Sequence, residues 1–196
     1  MKSIQIEKFG GPEVLVIKDT DIGKPGPKEV LIKNKSIGLN FIDVYHRTGL
    51  YPIPLPSGIG LEASGVIEEI GSDVKLFKVG DRVTHASMPI GAYSEKQIMP
   101  EEKLISVPDG ISDEVASCIT LKGITAEYLL HRAYPLKKGD KVLYHAAAGA
   151  LGQILCPWAN SLGAEVIGTV GSKAKEEIAK KKWLSPCLLY TSPSPR

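Results

Sequence analysis

Cysteine is scarce. Cys118, Cys156 and Cys187 are the only three in 196 residues, far apart and in no Cys-x-x-Cys arrangement. That excludes a disulfide-built scaffold and a cysteine-rich zinc site, and it makes a reducing cytoplasm the expected compartment. An excess of one charge sign is also missing. Lys and Arg total 24 against 22 for Asp and Glu, where a nucleic-acid-binding surface calls for a clear basic excess. No stretch approaches the ~20 consecutive apolar residues that a membrane-spanning helix needs. The N-terminal MKSIQIEKFGGPEVL scatters charges where a signal peptide has its apolar segment. Neither a nucleic-acid partner nor a membrane is expected.

What remains is ordinary globular composition, 43% hydrophobic and 23% charged, which argues against disorder. Glycine is the exception: 20 residues, where the usual share is about 7%. Up to about Gly110, short Val/Ile/Leu-rich segments alternate with turns such as Gly-Gly-Pro (10–12) and Pro-Gly-Pro (25–27). Segments 3–7, 15–18, 29–36, 65–70, 80–86 and 103–108 read as strands of a small antiparallel barrel. A helix over 41–48, closed by Gly49, interrupts them. After Gly110 the pattern changes to helices at 112–120, with Ser112 as N-cap, and at 125–133. A strand at 140–148, a glycine-rich turn, a helix to about Leu162, a strand at 165–170 and a helix from Lys173 make a βαβ unit of a parallel sheet.

That second region reads as incomplete in this chain, because two βαβαβ halves make a full dinucleotide fold. Residues 183–196, WLSPCLLYTSPSPR, look like translated adaptor sequence and are expected neither to continue a helix nor to start a strand. The expected organisation is a first domain over 1–120, the start of a dinucleotide-binding domain over 121–182, and a non-native tail over 183–196.

The sharpest motif is Ala147-x-Gly149-x-x-Gly152, with Ala150 and Leu151 between the glycines. It is the G-x-G-x-x-G phosphate turn with alanine in the first place. A small residue makes the turn out of the strand, Gly149 lets backbone approach a pyrophosphate, and Gly152 lets the helix pack closely. Its position between strand and helix points to a dinucleotide; the alternative is that small residues merely let a helix pack on the sheet. An NAD site usually has an acid at the end of the second strand, to bind the ribose 2′-hydroxyl. Here that strand ends in Gly171, Ser172, Lys173 and Lys175. Room at Gly171, a hydrogen bond from Ser172 and charge from Lys175 suit a 2′-phosphate, hence NADP(H). The alternative is that these lysines only solvate a helix face. Pro157 conflicts with the helix it sits in, where it removes a hydrogen bond and clashes with the carbonyl of Gln153.

Blocks FGGPEVL (9–15), IGLNFIDVYHRTGLYP (37–52), PSGIGLEASGVIEEIG (56–71), VGDRV (79–83), GAYSE (91–95), LKGITAEYLL (121–130), HAAAGALGQ (145–153) and WANSLGAEVIGTVGS (158–172) together resemble the zinc-free NADPH:quinone oxidoreductases of the medium-chain dehydrogenase/reductase superfamily. The resemblance implies a GroES-like β-barrel followed by a Rossmann domain. It implies an NADPH-dependent quinone reductase, a homodimer in the family, whose substrate is a small quinone or other electrophile. Where zinc relatives carry catalytic Cys and His ligands, this chain has Asn40 and Leu61, so no metal is expected; Glu62 beside Leu61 reads as structural. The resemblance offers Asn40, Tyr45 and Tyr51 to the nicotinamide and quinone, and Thr125 to the nicotinamide end of the cofactor. The tyrosines also read as ordinary packing residues. A reductase of enones or enoyl thioesters, and a non-catalytic NADPH-binding member, remain as alternatives.

Overall fold

Alternation of apolar and polar residues builds the first half. In β7 (Lys96–Pro100) every second side chain, Gln97 and Met99, is buried. A computed structural model describes residues 1–182 and 187–189 and divides into two compact units, Met1–Leu121 and Lys122–Arg196.

In the first unit β1 (Lys2–Ile6) lies between β2 (Val16–Asp19) and the two-residue β4 (Ser57–Gly58), all antiparallel. The larger antiparallel sheet has the order β7-β3-β5-β6-β8, with β3 (Glu29–Gly38), β5 (Glu62–Ile70), β6 (Arg82–Ala86) and β8 (Ile105–Ser106). An antiparallel bridge between Ser3 and Ser94 ties the two sheets. The β3–β5 pairing slips register at Leu31/Ile32 and Asn34/Ser36. Such bulges bend a strand and raise its twist, as a barrel wall requires. Val30, Ile32, Ile67, Val83 and Met99 form the core inside, with Val74 and Phe77 packed against it.

Helix α1 (Phe41–Thr48) has the expected bounds and ends at Gly49, whose φ of 80° is open to glycine at little cost. Helix α2 (Asp113–Glu127) differs from the expectation of two helices. Ser112 caps it, its Oγ accepting the Val115 N–H at 3.3 Å, and the helix then runs through Gly123. A lone glycine costs a helix only about 1 kcal/mol, too little to end one flanked by Leu121 and Ile124. A π-helical turn, Tyr128–Ala133, follows.

In the second unit β9 (Lys141–Tyr144) is shorter than the 140–148 expected, because the chain turns away at His145. Helix α3 (Gly152–Ser161) continues through Pro157. Its first turn is tight, with the Leu151 carbonyl accepting the N–H groups of both Ile154 (3.0 Å) and Leu155 (2.8 Å). Strand β10 (Glu165–Val170) and helix α4 (Lys173–Lys182) lie where the pattern put them. The tail differs: Cys187–Leu189 forms a strand, β11, pairing parallel to β10 in the order β11-β10-β9. The apolar Cys-Leu-Leu triplet between the prolines supplies it, and reading the stretch by its Ser-Pro pairs overlooked that. The rest of 183–196 lies outside the described residues. The core here is Ala126, Leu130, Ala147, Leu155, Cys156, Ala159, Val166 and Val170. No helix among the described residues is long and apolar enough to cross a membrane.

Candidate functional site

Two clusters hold candidate site residues, one in each unit. In the second unit the phosphate turn leaves β9 abruptly. Ala146 adopts a φ of +56°, a left-handed conformation that costs a non-glycine residue about 1–2 kcal/mol. The turn is held by Gly149 N–H on the Ala146 carbonyl (2.7 Å) and by Ala147 N–H on the Thr169 carbonyl of β10 (3.0 Å). His145 Nδ1 lies 2.9 Å from Thr169 Oγ1 and ties the same loop to β10 a second time. Neither His145 nor Thr169 was singled out from the sequence. Only their places before the turn and at the end of the neighbouring strand could have signalled them.

Gly152 has the packing reason the motif assigns to it. A Cβ on Gly152 would lie 2.4 Å from the Ala147 carbonyl oxygen, so any side chain there would push α3 off the strand. On Gly149 it would lie 3.0 Å from the Ala146 carbonyl, a tight fit that keeps this corner narrow. Ala147 is fully buried, whereas Gly149 and Ala150 are exposed and Leu151 is half-buried. The cradle is thus open toward solvent where a pyrophosphate would lie, beside the positive end of the α3 dipole. At the end of β10 a Cβ on Gly171 would meet nothing within 4 Å. Ser172 caps α4, its Oγ accepting the Lys175 N–H at 3.4 Å, and the Lys173 and Lys175 side chains are exposed. The hydroxyl keeps its proton for an anion. The donor set and the open corner fit a 2′-phosphorylated dinucleotide. Thr125 is half-buried in the last turn of α2.

In the first unit Asn40 is the N-cap of α1 and is buried. Its Nδ2 donates to Glu62 Oε2 at 2.8 Å, and its backbone N–H donates to Asp43 Oδ2 at 2.9 Å. Asp43 Oδ2 also accepts the Tyr93 hydroxyl at 2.8 Å. Burial raises the Asp43 carboxyl above its ordinary range, against the pull of these two donors, and burial likewise pushes the Tyr93 hydroxyl up. The sequence reading missed Asp43; the Asn-x-x-Asp spacing of a capping box was its signal. Tyr45 and Tyr51 come together, ring centroids 5.2 Å apart, with the Tyr51 N–H on the Tyr45 carbonyl at 3.2 Å. Phe41 lies edge-on to Tyr45 at 5.4 Å, and Tyr51 is half exposed. This is an aromatic cluster carrying two phenolic hydroxyls on and just after the helix that Asn40 caps, of a kind suited to a flat, electron-poor ring. Among the described residues no group of three or more His, Cys, Asp or Glu is placed to hold a metal ion.

A bulged barrel unit followed by a strand–phosphate turn–helix–strand unit is the architecture of the medium-chain dehydrogenases and reductases. The family of the alcohol dehydrogenase GroES-like domain matches residues 26–134, and the chain belongs to it. The fold is a GroES-like β-barrel followed by a partial Rossmann sheet. The chain is 52% identical over 181 residues to a quinone oxidoreductase of Pseudomonas aeruginosa, covering 92% of this chain and 56% of that protein. It is 48% identical to a 2-haloacrylate reductase of a Burkholderia species, covering 90% and 55%. A crystal structure of Escherichia coli quinone oxidoreductase complexed with NADPH superposes with a TM-score of 0.93 at 44% identity, covering 97% of this chain and 59% of that one. The chain spans about half the length of the curated relatives it matches.

Proposed function

We propose that this chain carries the acceptor-facing barrel and the phosphate-binding start of an NADPH-dependent quinone reductase. The observation that carries the reading is the phosphate turn: Gly152, where a Cβ would lie only 2.4 Å from the Ala147 carbonyl oxygen, with an acid-free, open strand end at Gly171–Ser172. The domain reading is a barrel over 1–120 and the nucleotide-binding part from 121. Ala147, Gly149, Ala150, Leu151 and Gly152 hold the pyrophosphate, Gly171, Ser172 and Lys175 the 2′-phosphate, and Thr125 the nicotinamide end. When bound, NADPH supplies a hydride; a quinone that takes up one hydride and one proton becomes a hydroquinone. Tyr45 and Tyr51 stack on the flat acceptor and donate hydrogen bonds, and Asn40 gives a third donor where negative charge develops on oxygen. Asn40 and Leu61 are not zinc ligands, so the donors replace a Lewis acid. A cytoplasmic homodimer accords with the same reading.

The 48% identity to a 2-haloacrylate reductase favours a second reading, reduction of an activated alkene on the same surface. NADPH oxidation followed with 1,4-benzoquinone and then with an enone, in the full-length protein that contains this chain, separates the two. Quinone turnover is expected, unchanged by a chelator. Turnover with the enone alone selects the second reading. NADPH binding without turnover on either acceptor overturns both and leaves a non-catalytic binder.

A further inference from the structure

We propose that Glu62 is the positioning residue for Asn40, locking its amide so that one defined N–H is left for the bound acceptor. The role of that N–H rests on the reduction reading above; the lock itself does not.

Glu62 is fully buried. Its Oε2 accepts the Asn40 Nδ2–H at 2.8 Å and its Oε1 accepts the backbone N–H of Leu121 at 2.7 Å. Gly38 makes the room, since a Cβ there would lie 2.6 Å from Glu62 Oε2. The other end of the amide is placed by capping-box geometry, the Asp43 N–H itself going to the Asn40 backbone carbonyl at 3.1 Å. The Asn40 side-chain oxygen faces the Asp43 backbone N–H at the start of α1, while Asp43 Oδ2 binds the Asn40 backbone N–H. An asparagine amide offers one acceptor and two N–H donors, and its two ends are nearly the same shape. Packing alone therefore cannot choose between them, but a carboxylate can, because it only accepts. With one N–H in Glu62 and the oxygen on the helix start, the second N–H is what remains. A donor held in advance is the group that stabilises an oxyanion as it forms, without reorganising during the reaction. An acid reads as a relic of a metal site when only its sequence neighbours are seen. In the fold it is the orienting group for the amide that stands at the former ligand position.

The variants are E62Q and the double variant E62Q/N40D, in the full-length protein that contains this chain. Glutamine has one oxygen for two N–H groups, so the Asn40 amide loses its fixed direction. In E62Q/N40D the Asp oxygen accepts from the Gln amide and the Gln oxygen accepts from Leu121. Both of these bonds are restored, but no N–H is left for the acceptor. E62Q is expected to lower kcat with quinone roughly 10- to 100-fold with little change in the KM for NADPH. The double variant is expected to regain the melting temperature but not kcat. Recovery of kcat in the double variant, or full kcat in E62Q, overturns the proposal. A readout independent of turnover is the 15N-resolved side-chain amide of Asn40. One of its two protons is expected far downfield in the parent, in the pattern of a hydrogen bond to a carboxylate. Two ordinary amide protons there overturn the lock even if E62Q fails to fold. A parent with this signature but no quinone turnover keeps the lock and sinks the reduction reading instead.

Discussion

Lys175 illustrates how much rests on one exposed side chain. It lies in the first turn of α4, with its backbone N–H on the Ser172 cap, its side chain exposed, and the open corner at Gly171 four residues before it. Removing a charge-assisted phosphate contact costs about 1.5–3 kcal/mol. Lys175→Ala is therefore expected to weaken NADPH binding at least tenfold and NADH little, by titration of intrinsic fluorescence; equal effects would remove Lys175 from the site. His85 is the opposite case, a fully buried side chain whose ring nitrogens have no well-aligned hydrogen bond among the described residues. Burial lowers its pKa to about 4, with the Leu61 backbone opposing weakly. The unfolded chain takes up a proton near pH 6.5 that the folded chain refuses until about pH 4. Stability is then complete above pH 6.5 and falls as pH drops toward 4, by ~3 kcal/mol in all. His85→Leu is expected to flatten that slope in urea melts between pH 4 and 7, with little loss at neutral pH because no more than a poorly aligned contact with the Leu61 backbone is given up. An unchanged slope would assign the pH dependence to other groups.

At the scale of elements, the phosphate turn is a packing device before it is a binding one. Gly152→Ala would set a methyl group against the Ala147 carbonyl and force α3 away from β9. Overpacking of this kind costs about 1–3 kcal/mol. The expected result is a lower melting temperature together with loss of NADPH binding. An alanine variant that binds normally would show that α3 can slide. The elements with strong local signals were legible: α1 from its Gly49 stop, β10 from its apolar run, and the turn from its small residues. The junction of α2 was not, because Gly123 looks like a breaker while helix length and flanking apolar residues outweigh it. Strand β11 was hidden because Cys-Leu-Leu is too short to show a period. At the site, residues that bind through a motif could be read. Asp43 shows in the sequence only as the Asn-x-x-Asp spacing of a capping box, and its bond to Tyr93 leaves no linear trace; His145 and Thr169 pair across neighbouring strands, and only their places at the turn and the strand end point to them.

For the molecule as a whole, the two units differ in how well their sheets are closed. In Met1–Leu121 the central strands β3, β5 and β6 each have a neighbour on both sides, and the core of Val30, Ile32, Ile67, Val83 and Met99 is almost free of solvent. In the second unit β9 ends the sheet order, so among the described residues one of its edges has no strand beside it. Leu143 on that strand is 59% exposed, and Leu188 and Leu189 at the other edge are 51% and 45% exposed. A parallel sheet is stable when helices cover both faces and its edges are paired or protected, and open apolar edges invite association. Backbone with few buried neighbours also opens at lower free energy and is cut first. This 196-residue chain on its own is therefore expected to lose the region after Leu121 early in limited proteolysis, to leave a resistant core ending near that residue, and to show no quinone turnover. Mass spectrometry of the digest fixes the boundary. A resistant core running through Lys182, with NADPH retained, would show that the α3–β10–α4 layer buries enough apolar surface to stand alone, and that the exposed edge of β9 is tolerated without a neighbouring strand.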